Sequence, residues 1–159
     1  MAEPRTYEKR KADTIAQLEA AEADAWVATA STDGVAHMVP LSIGWTEGRI
    51  VLVTESRSIT ARNLGASHRA RVAVGSTRDV VMIVAEMLAA YSIADAPPQL
   101  LRSFAVQSGW NPSTTSAADG YRLLELRPVQ IQAWREGNEI AGRTLMTHGE
   151  WVGSQPQNS

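Results

Sequence analysis

The chain has 159 residues, a formal net charge of -2 at neutral pH and no cysteine. This length suits one domain with a buried core, and the absence of cysteine excludes disulfides, thiolate metal sites and thiol nucleophiles. The charged N-terminal segment lacks a secretory apolar core and no apolar run approaches the ~20 residues of a membrane span, so we expect a cytoplasmic protein with no membrane partner.

The first half of the chain predicts a helix, three strands and a second, short helix. Residues 6–25 are rich in Ala, Glu, Lys and Leu, which favours a helix. Strands are expected over residues 26–31, 35–45 and 49–54, with turns at Asp33-Gly34 and Glu47-Gly48. In the second strand, alternation predicts one core face and one small, semi-polar face. A helix over residues 58–66 is expected to end near Gly65.

The second half predicts more strands, interrupted by a helix and a long loop. Strands are expected over residues 71–75, 80–87 and 123–134, with Pro128 marking an edge or a bulge. Two prolines introduce a helix over residues 99–107, and residues 108–120 read as a loop. A turn at Gly137-Asn138 leads into a last strand within residues 140–151.

This element order predicts a mainly β (α+β) fold, in which antiparallel strands form a closed or nearly closed barrel with helical inserts. We divide the chain into an N-terminal helix that packs on the barrel (1–25), the barrel domain (26–151) and a disordered tail (152–159).

The segment after Thr54 has the composition of an anion site. Hydroxyls at Ser56, Ser58 and Thr60 stand where a strand feeds a helix, whose N-terminal N–H groups and dipole favour a phosphate. From residue 57 to residue 78 the chain has five arginines and no Asp or Glu. The other interpretation is a solvated helix face with charges that protect a strand edge, and composition does not separate the two.

Other chemistries find little support in the sequence. The three histidines lie far apart, so we expect no metal site. The sequence has no nucleophile elbow, Walker loop or dinucleotide fingerprint. No aromatic residue interleaves the arginines, and we therefore expect no nucleic-acid partner.

The order of several motifs resembles the pyridoxamine 5'-phosphate oxidase-like, FMN-binding split β-barrel superfamily. These motifs are the Asp33-Gly34 turn, the strand from His37 to Pro40, the strand end at Thr54, Arg62-Asn63-Leu64, and the strand Arg71-Val72-Ala73-Val74. Over residues 12–151, the chain is most similar to actinobacterial flavin/deazaflavin oxidoreductases. The resemblance implies a homodimeric split β-barrel that binds FMN or the deazaflavin coenzyme F-420 at the dimer interface.

The resemblance also implies which residues meet the cofactor. The cofactor ring would lie beside His37, Met38, Val39 and Pro40, with Asp79 reaching it from the partner subunit. The phosphate would lie near Thr54, Ser56, Ser58, Thr60, Arg62 and Asn63. Trp134 and Arg143 would close over the cofactor, and Trp110 in the long loop would form a lid over the substrate. Packing of the loop is the other interpretation of Trp110.

One position departs from the family pattern. Many relatives carry a lysine, a principal phosphate ligand, three residues before the Asn of the Asn-Leu pair, where this chain has Thr60. The loss of one charge-assisted contact weakens binding by roughly 1.5–3 kcal/mol, unless Arg57 or Arg62 compensates.

The resemblance implies hydride transfer between the cofactor and an unknown small redox substrate. The cofactor supplies this chemistry, so no catalytic side chain is expected. Two alternatives remain open at this point. The chain can be a carrier or sensor that binds the cofactor without turnover, or a binder of another flat anion such as heme.

Overall fold

A computed structural model describes residues 2–153 of the chain. This part contains three α-helices and nine β-strands, with three short 3-10 turns. The helices are α1 (Tyr7–Glu19), α2 (Ile59–Ser67) and α3 (Pro98–Ser108). The strands are β1 (Asp24–Ala30), β2 (Ala36–Ser42), β3 (Gly44–Thr46), β4 (Arg49–Glu55), β5 (Arg69–Val74), β6 (Val80–Ser92), β7 (Tyr121–Trp134), β8 (Thr144–Thr147) and β9 (Glu150–Trp151). The 3-10 turns are Pro112–Thr114, Ala118–Gly120 and Gly137–Glu139.

Local sequence accounts for where the helices begin and end. Thr6 and Ser58 precede α1 and α2, and each hydroxyl accepts a bond from the backbone N–H three residues later, at 3.2 Å and 3.0 Å. Helix α3 begins at Pro98, where a missing N–H costs nothing. It ends before Gly109, whose φ of 75° is the usual left-handed cap.

The sheet closes on itself. Its strands are all antiparallel and follow the order β2-β1-β5-β6-β7-β4-β3, with the β8-β9 hairpin attached to β7. The two strands at the ends of this path, β2 and β3, are joined by the single buried residue Ile43. Because one residue cannot span a wide gap, the two ends of the sheet meet and a barrel results. This confirms the expected antiparallel barrel.

Strands β6 and β7 run through both halves of the sheet. The first part of β6 pairs with β5, whereas the first part of β7 pairs with β4. Pro128 lies in β7 between its pairing with β4 and its pairing with β8, and the β6-β7 register shifts there so that Val129 is an extra residue. The bulge expected at Pro128 is therefore confirmed, at a place where a missing N–H leaves no ladder bond broken.

Two apolar clusters stabilise this arrangement. The larger fills the barrel and includes Leu18 of α1. The smaller packs α3 against β4 and β7 around Phe104, which contributes about 1.5–3 kcal/mol by burial. Gly44 permits the close approach of α3, since a Cβ at this position would lie 3.1 Å from the Cα of Phe104.

Several expected boundaries are wrong. Helix α1 ends at Glu19, six residues before the expected end, because the chain must turn into β1. The strand expected over residues 35–45 breaks at Ile43. Gly65 lies inside α2, which ends instead before His68. Strand β6 continues to Ser92, five residues beyond the expected end.

The last expected strand, within residues 140–151, is a hairpin of β8 and β9 preceded by a turn. Positive φ angles at His148 and Gly149 allow the tight reversal between the two strands. Residues 154–159, most of the tail expected to be disordered, lie outside the described residues.

Candidate functional site

The N-terminus of α2 presents a small hydroxyl cluster. The Thr54 hydroxyl at the end of β4 donates to Ser58 Oγ at 3.1 Å, and the Ala61 N–H donates to the same oxygen at 3.0 Å. Both lone pairs of that oxygen are thereby used, so its own O–H remains available as a donor. The first N–H groups of α2 have no intrahelical partner and point in the same direction. The cluster can therefore donate several hydrogen bonds to an anion.

Two other predicted residues of α2 face the protein interior. The Asn63 side-chain amide donates to the hydroxyl of Thr29 on β1 at 3.1 Å, and both residues are buried. Thr60 is also buried, with 1% of its surface exposed. Asn63 thus fixes α2 against the barrel, and Thr60 faces away from solvent.

The remaining predicted residues at this end lie closer to solvent. The Ser56 N–H donates to the Gly120 carbonyl at 2.7 Å, which ties the long loop to the α2 end. The side chains of Arg57 and Arg62 are exposed and lie within salt-bridge distance of no carboxylate in residues 2–153. Two free guanidinium groups therefore accompany the hydroxyl cluster.

Strand β2 has the two faces that alternation predicts. His37, Val39 and Leu41 are half-buried, whereas Met38 and Pro40 are exposed, Met38 by 61%. Pro40 pairs with Trp26 of β1, whose indole is 51% exposed on the same outer face. The outer face of β1 and β2 is consequently an apolar surface, and α2 contacts the same two strands from their inner side, where Asn63 meets Thr29.

One predicted residue, Arg143, lines a large cavity. The cavity has a volume of about 1050 Å³ and lies between the segment before α1, the turn at residues 138–143 and the outer side of β7 and β8. Arg143, Gln130, Gln132 and Thr144 line it. The Arg143 guanidinium lies 6.0 Å from the centre of the Trp134 ring, at the upper limit of a cation–π contact. The cavity thus offers a cation and several amide and hydroxyl groups.

Asp79 belongs to an ion network beside this cavity. Its carboxylate lies 3.2 Å from Arg135 and 3.7 Å from Arg5. Arg5 also binds Asp13 at 3.1 Å and Glu139 at 2.8 Å. The hydrogen bond from Arg5 lowers the pKa of Glu139 from 4.5 to about 2, against the opposing effect of burial. The network fastens the segment before α1 to the turn after β7.

Arg10 anchors the same turn from inside the protein. Only 5% of its surface is exposed, and one of its terminal nitrogens donates to the carbonyls of Ala133, Glu139 and Gly142 at 2.9–3.3 Å. Burial lowers the pKa of the Arg10 guanidinium. The residue therefore positions the turn that carries Arg143.

The two groups of predicted site residues lie at opposite ends of β7. Thr54 pairs with Arg122 near the start of this strand, whereas Trp134 is its last residue. Arg122 and Trp134 are twelve positions apart, which corresponds to about 40 Å of strand. The chain thus brings together the hydroxyl cluster and the β2 surface in one place, and Asp79, Trp134 and Arg143 in another.

Trp110 contacts two aromatic rings at the base of the long loop. Its ring lies edge to face with Phe104, at a centroid distance of 6.3 Å, and with Tyr121, at 5.3 Å. Such pairs are worth about 0.5–1.5 kcal/mol beyond burial. The contacts anchor the loop, and 37% of the Trp110 surface remains exposed.

Sequence reasoning missed three residues at these sites. Thr29 and Arg10 read as ordinary strand and helix positions, and no local pattern signals that each reaches a distant element. Trp26 does carry a signal, because it stands on the even side of a strand whose odd residues Ala25 and Val27 are apolar. An indole at an outward position is typical of a binding surface.

Two further findings concern the described residues alone. None of the helices is both long and apolar enough to cross a membrane. Within residues 2–153 no three His, Asp or Glu side chains are grouped so that they can hold a metal ion.

No family model and no curated protein sequence matches the chain. Solved structures do match it at low identity. An F-420 reductase is 11% identical, with a TM-score of 0.58 over 73% of this chain and 94% of that protein. A pyridoxamine 5'-phosphate oxidase-related, FMN-binding protein from Nostoc punctiforme is 18% identical, with a TM-score of 0.56 over 92% of this chain and 90% of that protein.

A heme-binding protein from Mycobacterium smegmatis is 18% identical, with a TM-score of 0.61 over 94% of this chain. The chain spans 60% of that protein's length. Neighbours that share a fold at such identities differ in their ligands, so the likeness establishes the fold. This chain has the split β-barrel fold of the pyridoxamine 5'-phosphate oxidase-like proteins, as the sequence motifs predict.

Proposed function

We propose that the protein binds FMN or the deazaflavin coenzyme F-420 and transfers hydride between this cofactor and a small molecule. The observation that carries the proposal is the hydroxyl cluster at the α2 N-terminus, together with the apolar outer face of β2, a strand that α2 contacts. An anion site together with an apolar surface suits a phosphorylated molecule with a planar ring. Neighbours named for FMN and F-420 support the same class of ligand.

The donors at the α2 end fit a phosphate. Ser58 would donate its free hydroxyl hydrogen, the first turn of α2 its N–H groups, and Arg62 a guanidinium. Met38 and Pro40 would support the flat ring. The bound ring would supply the hydride chemistry, and the protein would orient it and exclude water. Thr60 is buried where many relatives carry a lysine, so the exposed arginines must supply the charge.

We further propose that a second copy of the chain completes the site. The outer row Pro40, Trp26, Ala73, Met82 and Gln132 crosses five strands and joins the β2 surface to the Arg143 cavity. Most of this row is apolar, and Trp26 and Met82 are exposed. A two-fold dimer over this face would place the Arg143 and Trp134 of one subunit over the β2 surface of the other. This arrangement unites the two separated groups of residues.

A second candidate is heme binding without turnover. A neighbour with this fold is named as a heme-binding protein, and an apolar face with nearby arginines also suits a tetrapyrrole carboxylate. A carrier or sensor of FMN or F-420 is the related possibility, since binding residues alone do not distinguish a carrier from an enzyme.

Titration of the cofactor-free protein with FMN, F-420 and heme at one fixed ionic strength tests these proposals. Micromolar or tighter binding of FMN or F-420 supports the cofactor proposal, and oxidation of the reduced cofactor by an added acceptor distinguishes an enzyme from a carrier. A Soret band with heme, and no binding of the other two, would support the second candidate instead. Salt must be constant because the expected contacts are charged.

A further inference from the structure

The arginine-rich run has a part that the α2 site does not use. Arg69 and Arg71 lie on β5, two residues apart, so both side chains stand on the outer face of the sheet and are exposed. In the row of Arg69, the neighbour on β6 is Glu86 and the next residue, on β7, is Arg127. In the row of Arg71, the corresponding residues are Val84 and Gln130. The result is a block of three strands and two rows, which we call the arginine face.

Positive charge is in excess on the arginine face. Its three arginines face one carboxylate, that of Glu86, and this carboxylate binds Arg127 at 3.2 Å. No carboxylate of residues 2–153 lies within salt-bridge distance of Arg69 or Arg71. Two guanidinium groups with forked donors are therefore free in one direction from the sheet.

A cavity lies on the other side of β6 from Arg69 and Arg71. It has a volume of about 490 Å³, and its walls include Val84, Glu86 and Arg127 together with Gln130, Thr147 and His148. The β-bulge at Val129 makes this cavity possible, because the extra residue turns both Arg127 and Gln130 to the same outer face. The β8-β9 hairpin supplies the opposite wall. One cation, Arg127, thus lies in this cavity with the Glu86 carboxylate, an amide and a hydroxyl, while Arg69 and Arg71 stand one strand away from its wall.

We propose that the arginine face binds a small molecule with two or more oxyanionic groups, at a place distinct from the α2 N-terminus although Arg71 shares an outer row with Met38 of β2. A spacing of about 7 Å along a strand and about 5 Å between strands sets guanidinium groups at the separation of adjacent phosphates or carboxylates. The ligand class is a diphosphate or a polycarboxylate, since both present several oxygens to forked donors. The proposal stands whether or not a redox cofactor binds at α2.

Calorimetric titration of the full chain with pyrophosphate and with citrate, at constant ionic strength, tests the proposal. We expect the protein to bind at least one of the two, and the probe that binds more tightly shows whether the ligand is a diphosphate or a polycarboxylate. Arg71→Gln should weaken this binding at least tenfold. Arg102→Gln, which removes an exposed arginine from α3, is the matched control and should change the affinity less than twofold.

Arg62→Gln separates the two anion sites. If the anion binds the arginine face, this change at α2 leaves the affinity within twofold, whatever it does to FMN. If Arg62→Gln abolished anion binding and Arg71→Gln preserved it, the anion would be assigned to α2 and the proposal would be overturned. The proposal would also be overturned if the wild type bound neither pyrophosphate nor citrate at millimolar concentration. An Arg71→Gln effect on self-association, measured by sedimentation, without an effect on anion binding would overturn it as well.

Discussion

Ser58 combines two roles that one substitution can separate. Its oxygen caps α2, and its hydrogen is the donor left for a ligand. We expect Ser58→Ala to lower the free energy of unfolding by about 1 kcal/mol and to weaken FMN binding about tenfold or more. Riboflavin, which lacks the phosphate, should bind the variant and the wild type equally. Fluorescence titration and chemical denaturation measure the two effects.

Gly48→Ala is the control for Ser58, because a side chain at the Gly48 φ of 73° costs about 1–2 kcal/mol and Gly48 lies at the opposite end of β4 from Thr54. This variant should lose similar stability and keep its affinity for FMN. If Ser58→Ala lost affinity for FMN and for riboflavin to the same extent, the proposed contact of Ser58 with the phosphate would be contradicted.

Glu139 predicts how stability depends on pH. Arg5 holds the pKa of this buried carboxyl at about 2, below the 4.5 of the free group. Because the pKa is lower in the folded state, the ionised carboxylate stabilises the fold at pH values above the unfolded pKa. This stabilisation is lost as the pH falls from about 5 toward 2, and the shift corresponds to about 3 kcal/mol. We therefore expect Glu139→Gln to destabilise the protein at pH 7 and to flatten its stability between pH 5 and pH 3, in denaturation experiments.

Glu19→Gln changes an exposed carboxyl at the end of α1 and serves as the control. Its unfolding curve should match the wild type at every pH. An unchanged pH dependence in Glu139→Gln would show that the Arg5 network does not cause the acid sensitivity.

At the scale of single elements, two glycines give opposite predictions. Gly65 lies in the last turn of α2 and a Cβ there would meet nothing within 4 Å, so Gly65→Ala should stabilise the protein by about 0.5–1 kcal/mol. Gly75 has a φ of 84° and a Cβ there would collide with Gln17 and the Asp79 carbonyl. Gly75→Ala should therefore destabilise it, and thermal unfolding measures both. Equal effects of the two substitutions would contradict the assigned backbone conformations.

The same helix shows why the sequence predicted elements better than their ends. Ser58 and the apolar spacing after it predict the start of α2 correctly, because a cap acts over three residues. The end of α2 was placed at Gly65, the residue with the strongest local preference for a left-handed cap. The chain instead uses His68 with a φ of 58°, whose carbonyl accepts from the Met87 N–H of β6. Pairing with a distant strand overrides the local preference.

Long-range contacts also limit what the sequence reveals of the candidate site. The hydroxyls at residues 54, 56, 58 and 60 lie within seven residues of sequence, and their pattern therefore predicts an anion site. Arg10 lies 123 residues from Ala133, to which it donates, and no local pattern indicates this contact. Trp26 and Met82 share one row only because of strand order, which the sequence alone does not specify.

At the scale of the whole molecule, the proposed dimer depends on the outer apolar row. Met82→Glu would place a carboxylate beside Ala73 in the row that also holds Trp26, and burial of an unpaired charge costs several kcal/mol. We expect the dimer dissociation constant to rise at least a hundredfold in sedimentation experiments, with FMN or F-420 binding reduced in parallel. The individual chain should remain folded, because Met82 is already partly exposed.

Val106→Glu is the matched control, since this residue is the most exposed apolar side chain of α3 and lies away from the row. It should leave both association and cofactor binding unchanged. A wild-type protein that sediments as a monomer at all concentrations would refute the composite site.

The position of β4 in the sheet has a consequence during synthesis on the ribosome. Residues 50–54 are buried in the finished barrel, yet the partner of Val53 is Leu123, 70 residues later. When β4 emerges, it can pair only with the three-residue β3. Its apolar side chains therefore remain exposed to solvent until β7 has been translated. At about 5–20 residues per second this delay is several seconds, a window in which chaperones or premature association with other chains would act on this protein.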